Sequence, residues 1–208
     1  MCLSEWRKMG YRIALWRDPE DAPIPCDMML IGPYPGYHIA VNSLCREVMK
    51  HDMGASWLVT AGDDMTPDPS RRADEIAAEC TTYFSGTFGV MQPTGDKWAA
   101  SHPERICGSP WMGREFCRRM YGGHGPFCEE YFQLWGDEEM HEVCVKLGIL
   151  WNREDLVHFH DHFQRGGKRP LSERPSWMVR NDECYQKLKP IFDRRKRTGW
   201  PGHEPLPI

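Results

Sequence analysis

The chain has 208 residues, 40% of them apolar and 12% aromatic, enough to bury the core of one ordinary domain. Charged residues make up 27%, yet the net charge is only −4, which argues against a disordered polyelectrolyte. No apolar run reaches the roughly 18–20 residues that span a bilayer, and the first 17 residues carry charges instead of an apolar leader, so the chain is read as cytoplasmic.

Residues 11–16, bounded by Gly10 and by Asp18-Pro19, read as a short strand, and Met28-Met29-Leu30-Ile31 reads as a second, more buried one. Val41, Leu44, Cys45, Val48 and Met49 fall at helical spacing and predict an amphipathic helix over 39–52. Residues 56–60 form a strand that runs into Gly62-Asp63-Asp64. Pro67 and Pro69 then precede a helix over 70–84 that buries Ile76, Ala77, Cys80 and Phe84. Further on come a short strand at 89–91, a helix at 114–121 stopped by Gly122-Gly123, and a helix at 137–147 that buries Met140, Val143, Cys144 and Leu147. Gly148 suits the left-handed stop of that last helix. A strand over 156–160 closes the body. Strands alternating with helices predict an α/β fold, a mostly parallel central sheet with helices on both faces, whose ligands gather beyond the carboxyl ends of the strands.

Charge divides the chain. Residues 1–163 carry a net −10 and residues 164–208 a net +6 that includes Arg194-Arg195-Lys196-Arg197. The first stretch is read as a catalytic domain and the second as a basic, Pro-rich C-terminal extension. The nine cysteines form no Cys-x-x-Cys pair, and several occupy apolar positions of helical patterns, which suits reduced core thiols better than disulfides or a zinc knuckle.

Three groups of residues have the chemistry of a site. Asp63-Asp64 sits at a strand end, where two ionised carboxylates are costly unless a cation or donors meet them; a divalent metal holding a diphosphate would do so. Asp137-Glu138-Glu139 opens a helix, where acids also favour the helix dipole, and one of these carboxylates suits a general base. His158, His160 and His162 alternate, which on an extended strand turns all three to one side, as metal ligands require. Trp111, set among glycines and aromatics between the two acidic motifs, suits a wall on which a sugar or base stacks.

The order of these features resembles the GT-A glycosyltransferases of the family-2 type over about residues 10–163. In that family a DxD-like motif holds a metal and a nucleotide diphosphate, a later Glu-Asp motif supplies the base, and a downstream histidine completes the metal site. The resemblance implies a GT-A fold and transfer of a sugar from a nucleotide-sugar donor to an acceptor hydroxyl, with Mn²⁺ or Mg²⁺ and inversion at the anomeric carbon. It implies Asp64 with His158 or His160 at the metal, and Asp137, with Glu138 behind it, as base. Asp18, Asn42, Asp63 and Trp111 would then contact the donor. Gly62 stands where the first Asp of DxD is expected and Gly136 where the Glu is expected, and the family's opening strand has no clear counterpart before Trp6.

Rival readings stand beside this one, a nucleotidyltransferase ranking lowest because no Gly-rich opening loop is visible to hold a triphosphate. His158, His160 and His162, with Asp161, approach the histidine motif of zinc-dependent metallo-hydrolases. The basic extension, with Trp177, Tyr185 and Trp200 interleaved, has the mixture that binds nucleic acid, either as an accessory function or because the acceptor is a modified base in DNA.

Overall fold

A four-stranded sheet with a single reversed strand organises the computed structural model, which describes residues 2–51, 53–96, 106–162, 165 and 176–207. Its strands are β3 (Trp57–Val59), β5 (Val90–Pro93), β6 (Trp111–Gly113) and β7 (Leu150–Arg153), in the order β3-β6-β5-β7. β6 is antiparallel to both its neighbours and β5 is parallel to β7, so β3, β5 and β7 run one way. The expected mostly parallel sheet is therefore corrected to a mixed one. β6 was hidden in the sequence because Trp111-Met112-Gly113 is too short to show a period.

Two smaller pairings flank it. β1 (Ala14–Arg17) and β2 (Met28–Ile31) are parallel, and β4 (Met65–Thr66) is antiparallel to β8 (Phe159–His160), with Met65 opposite His160. The helices are α1 (Leu3–Lys8), α2 (Tyr37–Lys50), α3 (Ala73–Tyr83), α4 (Arg114–Arg119), α5 (Gly136–Leu147) and α6 (Ser176–Arg197). Gly148 takes φ 69° at the end of α5, the left-handed stop that its sequence predicts.

Alternation along the strands sends side chains to two cores. Val90 and Met112 pack with Phe116, Phe127, Tyr131, Met140 and Cys144 beneath α2, α4 and α5. Met91 and Trp111 pack with Trp57, Ile76, Cys80 and Leu156 beneath α3. Helices thus cover both faces of the sheet. Arg153, at the end of β7, ties α3 to that edge through Glu79 at 2.7 Å and is itself held by Asp155, two residues on, at 2.6 Å.

The described part of the basic extension packs on the first of these cores. Phe192 and Trp200 are buried in it, and Trp135 stacks on Tyr185 with ring centroids 4.2 Å apart. The basic run meets acids of the body: Arg194 pairs with Glu130 and Lys196 with Glu142. Arg195 is buried and donates to both oxygens of the equally buried Glu139, each at 2.8 Å. Glu139 also accepts the hydroxyls of Tyr121 at 2.8 Å and Tyr131 at 2.7 Å. A carboxylate this deeply buried is tolerable only with such a complete set of donors. Trp177 has no described side chain.

Candidate functional site at the carboxyl edge of the sheet

β3, β5 and β7 each end in a loop that carries a carboxylate or a histidine, and the three loops meet. β3 leads into Thr60 and on to Asp63-Asp64-Met65, and β5 into Thr94-Gly95-Asp96. β7 leads through Leu156 to His158 and β8. The β4–β8 pairing joins the first loop to the third, and Asp161 donates its backbone N–H to the carbonyl of Asp64 at 2.8 Å.

Asp64 and His160 are brought into direct contact, Oδ2 lying 3.1 Å from Nε2. Both are partly exposed. The carboxylate of Asp64 folds back toward residue 62, where an added Cβ would lie 2.8 Å from Oδ1, so a side chain at the first position of a DxD would crowd the second. Asp63 is exposed, and its carbonyl accepts the Cys2 thiol at 3.0 Å. The indole of Trp6 donates to the carbonyl of Met65 at 2.9 Å, so α1 holds this turn from behind.

Asp96 fixes His160 from the other side. Its Oδ2 accepts the backbone N–H of His160 at 3.2 Å and, with Oδ1, a two-pronged bond from Arg165 at 2.7 and 3.0 Å. Arg165 also donates to the carbonyl of His160 at 2.9 Å and lies 3.9 Å over the Phe159 ring. Asp68 is buried and accepts the N–H of Val157 at 2.9 Å and both donors of Ser70. Burial alone would raise its pKa, but these bonds outweigh it and hold the carboxyl below the ordinary range. Neither Asp96 nor Asp68 was singled out from sequence. One signal pointed to Asp96, since Gly95-Asp96 repeats, after another strand, the Gly62-Asp63 pattern.

His158 is placed differently from His160. The indole N–H of Trp111 donates to its Nε2 at 3.3 Å, which leaves the proton on Nδ1 to go to Ser109 Oγ at 2.8 Å. Ser109 in turn donates to the carbonyl of Thr60 at 2.6 Å. Both nitrogens of His158 are therefore spent inside the protein, and burial lowers its pKa to about 4. The expected ligand is a neutral core histidine tying β6 to the β3 loop.

Trp111 is likewise a core residue, 2% exposed, and not a stacking wall. Asn42 is fully buried and spends its amide on the loop above it: Nδ2 donates to the Phe127 carbonyl at 2.9 Å and to Glu129 at 3.1 Å, and Oδ1 accepts the Phe127 N–H at 3.1 Å. Neither side chain is presented to a donor in this arrangement. Asp18 follows β1, half-buried, near enough to Tyr34 for its charge to help raise that phenol, after the larger effect of burial.

Asp137 and Glu138 lie half-buried in the first turn of α5. The Asp137 carbonyl accepts the Cys107 N–H at 3.2 Å, which docks this helix end over the entry to β6. Gly136 is required there, because a Cβ would strike the ring of buried His38. Tyr37, the first residue of α2, completes the link: its hydroxyl lies beside Thr60, short of a hydrogen bond, and near Asp137. Burial raises this phenol to about 12; the Thr60 hydroxyl opposes the rise and the charge of Asp137 adds to it. Tyr37 thus lies between Thr60, at the end of β3, and the α5 end that carries Asp137.

Among the described residues no three His, Cys, Asp or Glu side chains are gathered closely enough to hold a metal by themselves. Asp64 and His160 supply one oxygen and one nitrogen donor, a set that suits Mn²⁺ better than the oxygen-seeking Mg²⁺ and would need a ligand and water to complete it. The His162 ring lies 5.1 Å from that of His160. No described helix is long and apolar enough to cross a membrane. Comparison with protein-family models, with curated proteins and with solved structures returned no match.

Proposed function

We propose that the protein is a metal-assisted glycosyltransferase of GT-A type, passing a sugar from a nucleotide-sugar donor to an acceptor hydroxyl. The observation that carries this reading is the contact of Asp64 with His160, 96 positions apart, on the edge that also receives the α5 end bearing Asp137. In this reading Asp64 and His160 hold the cation, and Asp96 and Arg165 keep His160 turned toward Asp64. A divalent cation held there, Mn²⁺ by the donor set, would supply the charge that stabilises a leaving diphosphate. Asp137 takes the proton of the acceptor hydroxyl as that oxygen attacks the anomeric carbon on the face opposite the diphosphate, which inverts the configuration. In the same reading Asp63, exposed beside Asp64, meets the nucleotide.

The zinc-hydrolase reading needs three histidines on one metal, and His158 has no nitrogen to give. A thermal-shift panel of UDP-, GDP-, CDP- and dTDP-sugars, with and without Mn²⁺, tests the transferase directly. One nucleotide sugar raises the melting temperature only with metal, and Asp64→Asn abolishes the rise. Failure of every nucleotide sugar to shift the native protein, together with co-purifying zinc, would overturn the assignment in favour of the hydrolase.

A further inference from the structure

Five buried side-chain polar atoms among the described residues have no hydrogen-bond partner, and three of them, Thr60 Oγ1, Gln92 Oε1 and Thr94 Oγ1, lie at one end of the sheet. The register places them together. Leu58 pairs with Met112 and Met112 with Val90, so two residues further on Thr60, Pro110 and Gln92 form one row across β3, β6 and β5, facing the α2–α5 side. Thr94 follows Gln92 on the same face. All three are more than nine-tenths buried. Above them sit the Tyr37 hydroxyl and the first turn of α5, held over the entry to β6 by the Cys107–Asp137 bond.

A buried donor or acceptor without a partner is costly, so three in one row point to a ligand or ordered water that meets them. Two of them are hydroxyls and the third is an amide oxygen, and none carries a charge. They can exchange hydrogen bonds with the hydroxyls of a neutral ligand; toward a phosphate the two hydroxyls could donate, but the amide oxygen could not and no positive charge stands beside them. Three cations of the basic run on α6, Arg194, Arg195 and Lys196, are engaged with Glu130, Glu139 and Glu142.

We infer that Thr60, Gln92 and Thr94 form a subsite for the hydroxyl groups of a neutral sugar beneath Asp137. This rests on the transferase reading for the role of Asp137, and it makes the ligand at this end of the site a polyol, not DNA. The sugar is either the one carried by the donor or the one that accepts it, and both present the same chemistry to this row.

The test uses Thr60→Val, Thr94→Val and the double variant, with Thr60→Ser as the version that keeps the hydroxyl. Melting temperatures are read for the free protein, with UDP, GDP, CDP and dTDP plus Mn²⁺, with the corresponding nucleotide sugars, and with free hexoses at high concentration. Because Thr94→Val removes an unpartnered hydroxyl, that ligand-free variant melts about 2–4 °C higher than the parent, whereas Thr60→Val, which removes the hydroxyl facing Tyr37, gains less. Their response to a nucleoside diphosphate is unchanged. Their apparent affinity for the sugar falls at least tenfold: in the nucleotide-sugar arm if the row reads the donor, in the hexose arm if it reads the acceptor. Thr60→Ser keeps the parent's sugar response. A parent that responds to no sugar, valine variants that bind sugar as the parent does, or a ligand-free Thr94→Val variant that melts lower would each overturn the subsite. Loss of the nucleoside-diphosphate response in the parent would instead sink the transferase assignment, and the hexose arm would still decide the subsite.

Discussion

The indole of Trp111 donates to Nε2 of His158 at 3.3 Å, and this one bond decides what both residues are. It sets the histidine's tautomer, buries the tryptophan's only polar atom with a partner, and leaves neither side chain turned outward. Trp111→Phe leaves a buried acceptor unmatched and a small void, so it costs about 2–4 kcal/mol in stability. Urea denaturation with an unchanged m-value is the measurement. Nucleotide-sugar response in the folded variant stays at the parent's level. Selective loss of that response at full stability would restore Trp111 to the site wall.

Glu139 and Arg195, 1% and 5% exposed, bind α6 to α5 from within the core. Removing one charge from such a pair strands the other, so Glu139→Gln destabilises by about 3–5 kcal/mol. Glu139→Leu combined with Arg195→Met, which removes both charges, recovers part of the loss, although Tyr121 and Tyr131 then lose their acceptor. Melting temperatures of the two variants separate a true buried pair from incidental contact: a single variant as stable as the parent would mean that Arg195 is not held here in solution.

Asn42 clamps the 124–131 loop through three hydrogen bonds. Asn42→Ala frees both backbone groups of Phe127 and costs about 2 kcal/mol or somewhat more. Amide exchange in that loop accelerates while exchange in β5 does not, as expected for local opening. A variant with normal exchange but weakened nucleotide-sugar binding would return Asn42 to the donor site.

What the sequence disclosed followed from period and length. α2, α3 and α5 are 11 to 14 residues long and repeat their apolar positions, so their spacing predicts them to within a few residues. β6 and β7 have three and four residues, too few to show alternation. α6 was hidden because its sequence is mostly polar and carries Pro190 inside the helix. The site divides the same way. Residue type and placement at strand and helix ends singled out Asp64 and His160, which the structure brings into contact, and Asp137, which opens α5. The roles of Asp96 and Arg165 were not legible, because they arise from a pairing across 69 positions that no local pattern records. Residue type also misled at His158, Trp111 and Asn42: a polar or aromatic side chain in a suggestive place serves a core as readily as a ligand.

His38 offers the clearest pH test. It is buried at the start of α2 beneath Gly136, among the rings of Tyr37, Phe127 and Tyr131, with Nδ1 3.1 Å from the Tyr131 carbonyl. Burial lowers its pKa to about 4, the bond to that carbonyl acting weakly the other way. The unfolded chain binds a proton at this histidine below its ordinary value near 6.5, and the folded chain does not until about pH 4. Between those values the unfolded state holds more protons, so stability falls as the pH is lowered from 6.5 to 4 and levels off below. The contribution is on the order of 3 kcal/mol over the whole window, since each tenfold difference in proton affinity between the two states is worth about 1.4 kcal/mol. Urea midpoints measured at half-unit steps from pH 7.5 to 4 trace this loss on top of that of the other titrating groups. His38→Asn keeps a donor for the Tyr131 carbonyl but cannot titrate, so its stability varies less steeply over this window whatever its absolute value. Parallel pH profiles for the parent and His38→Asn would show that His38 is protonated as readily in the folded chain as in the unfolded one.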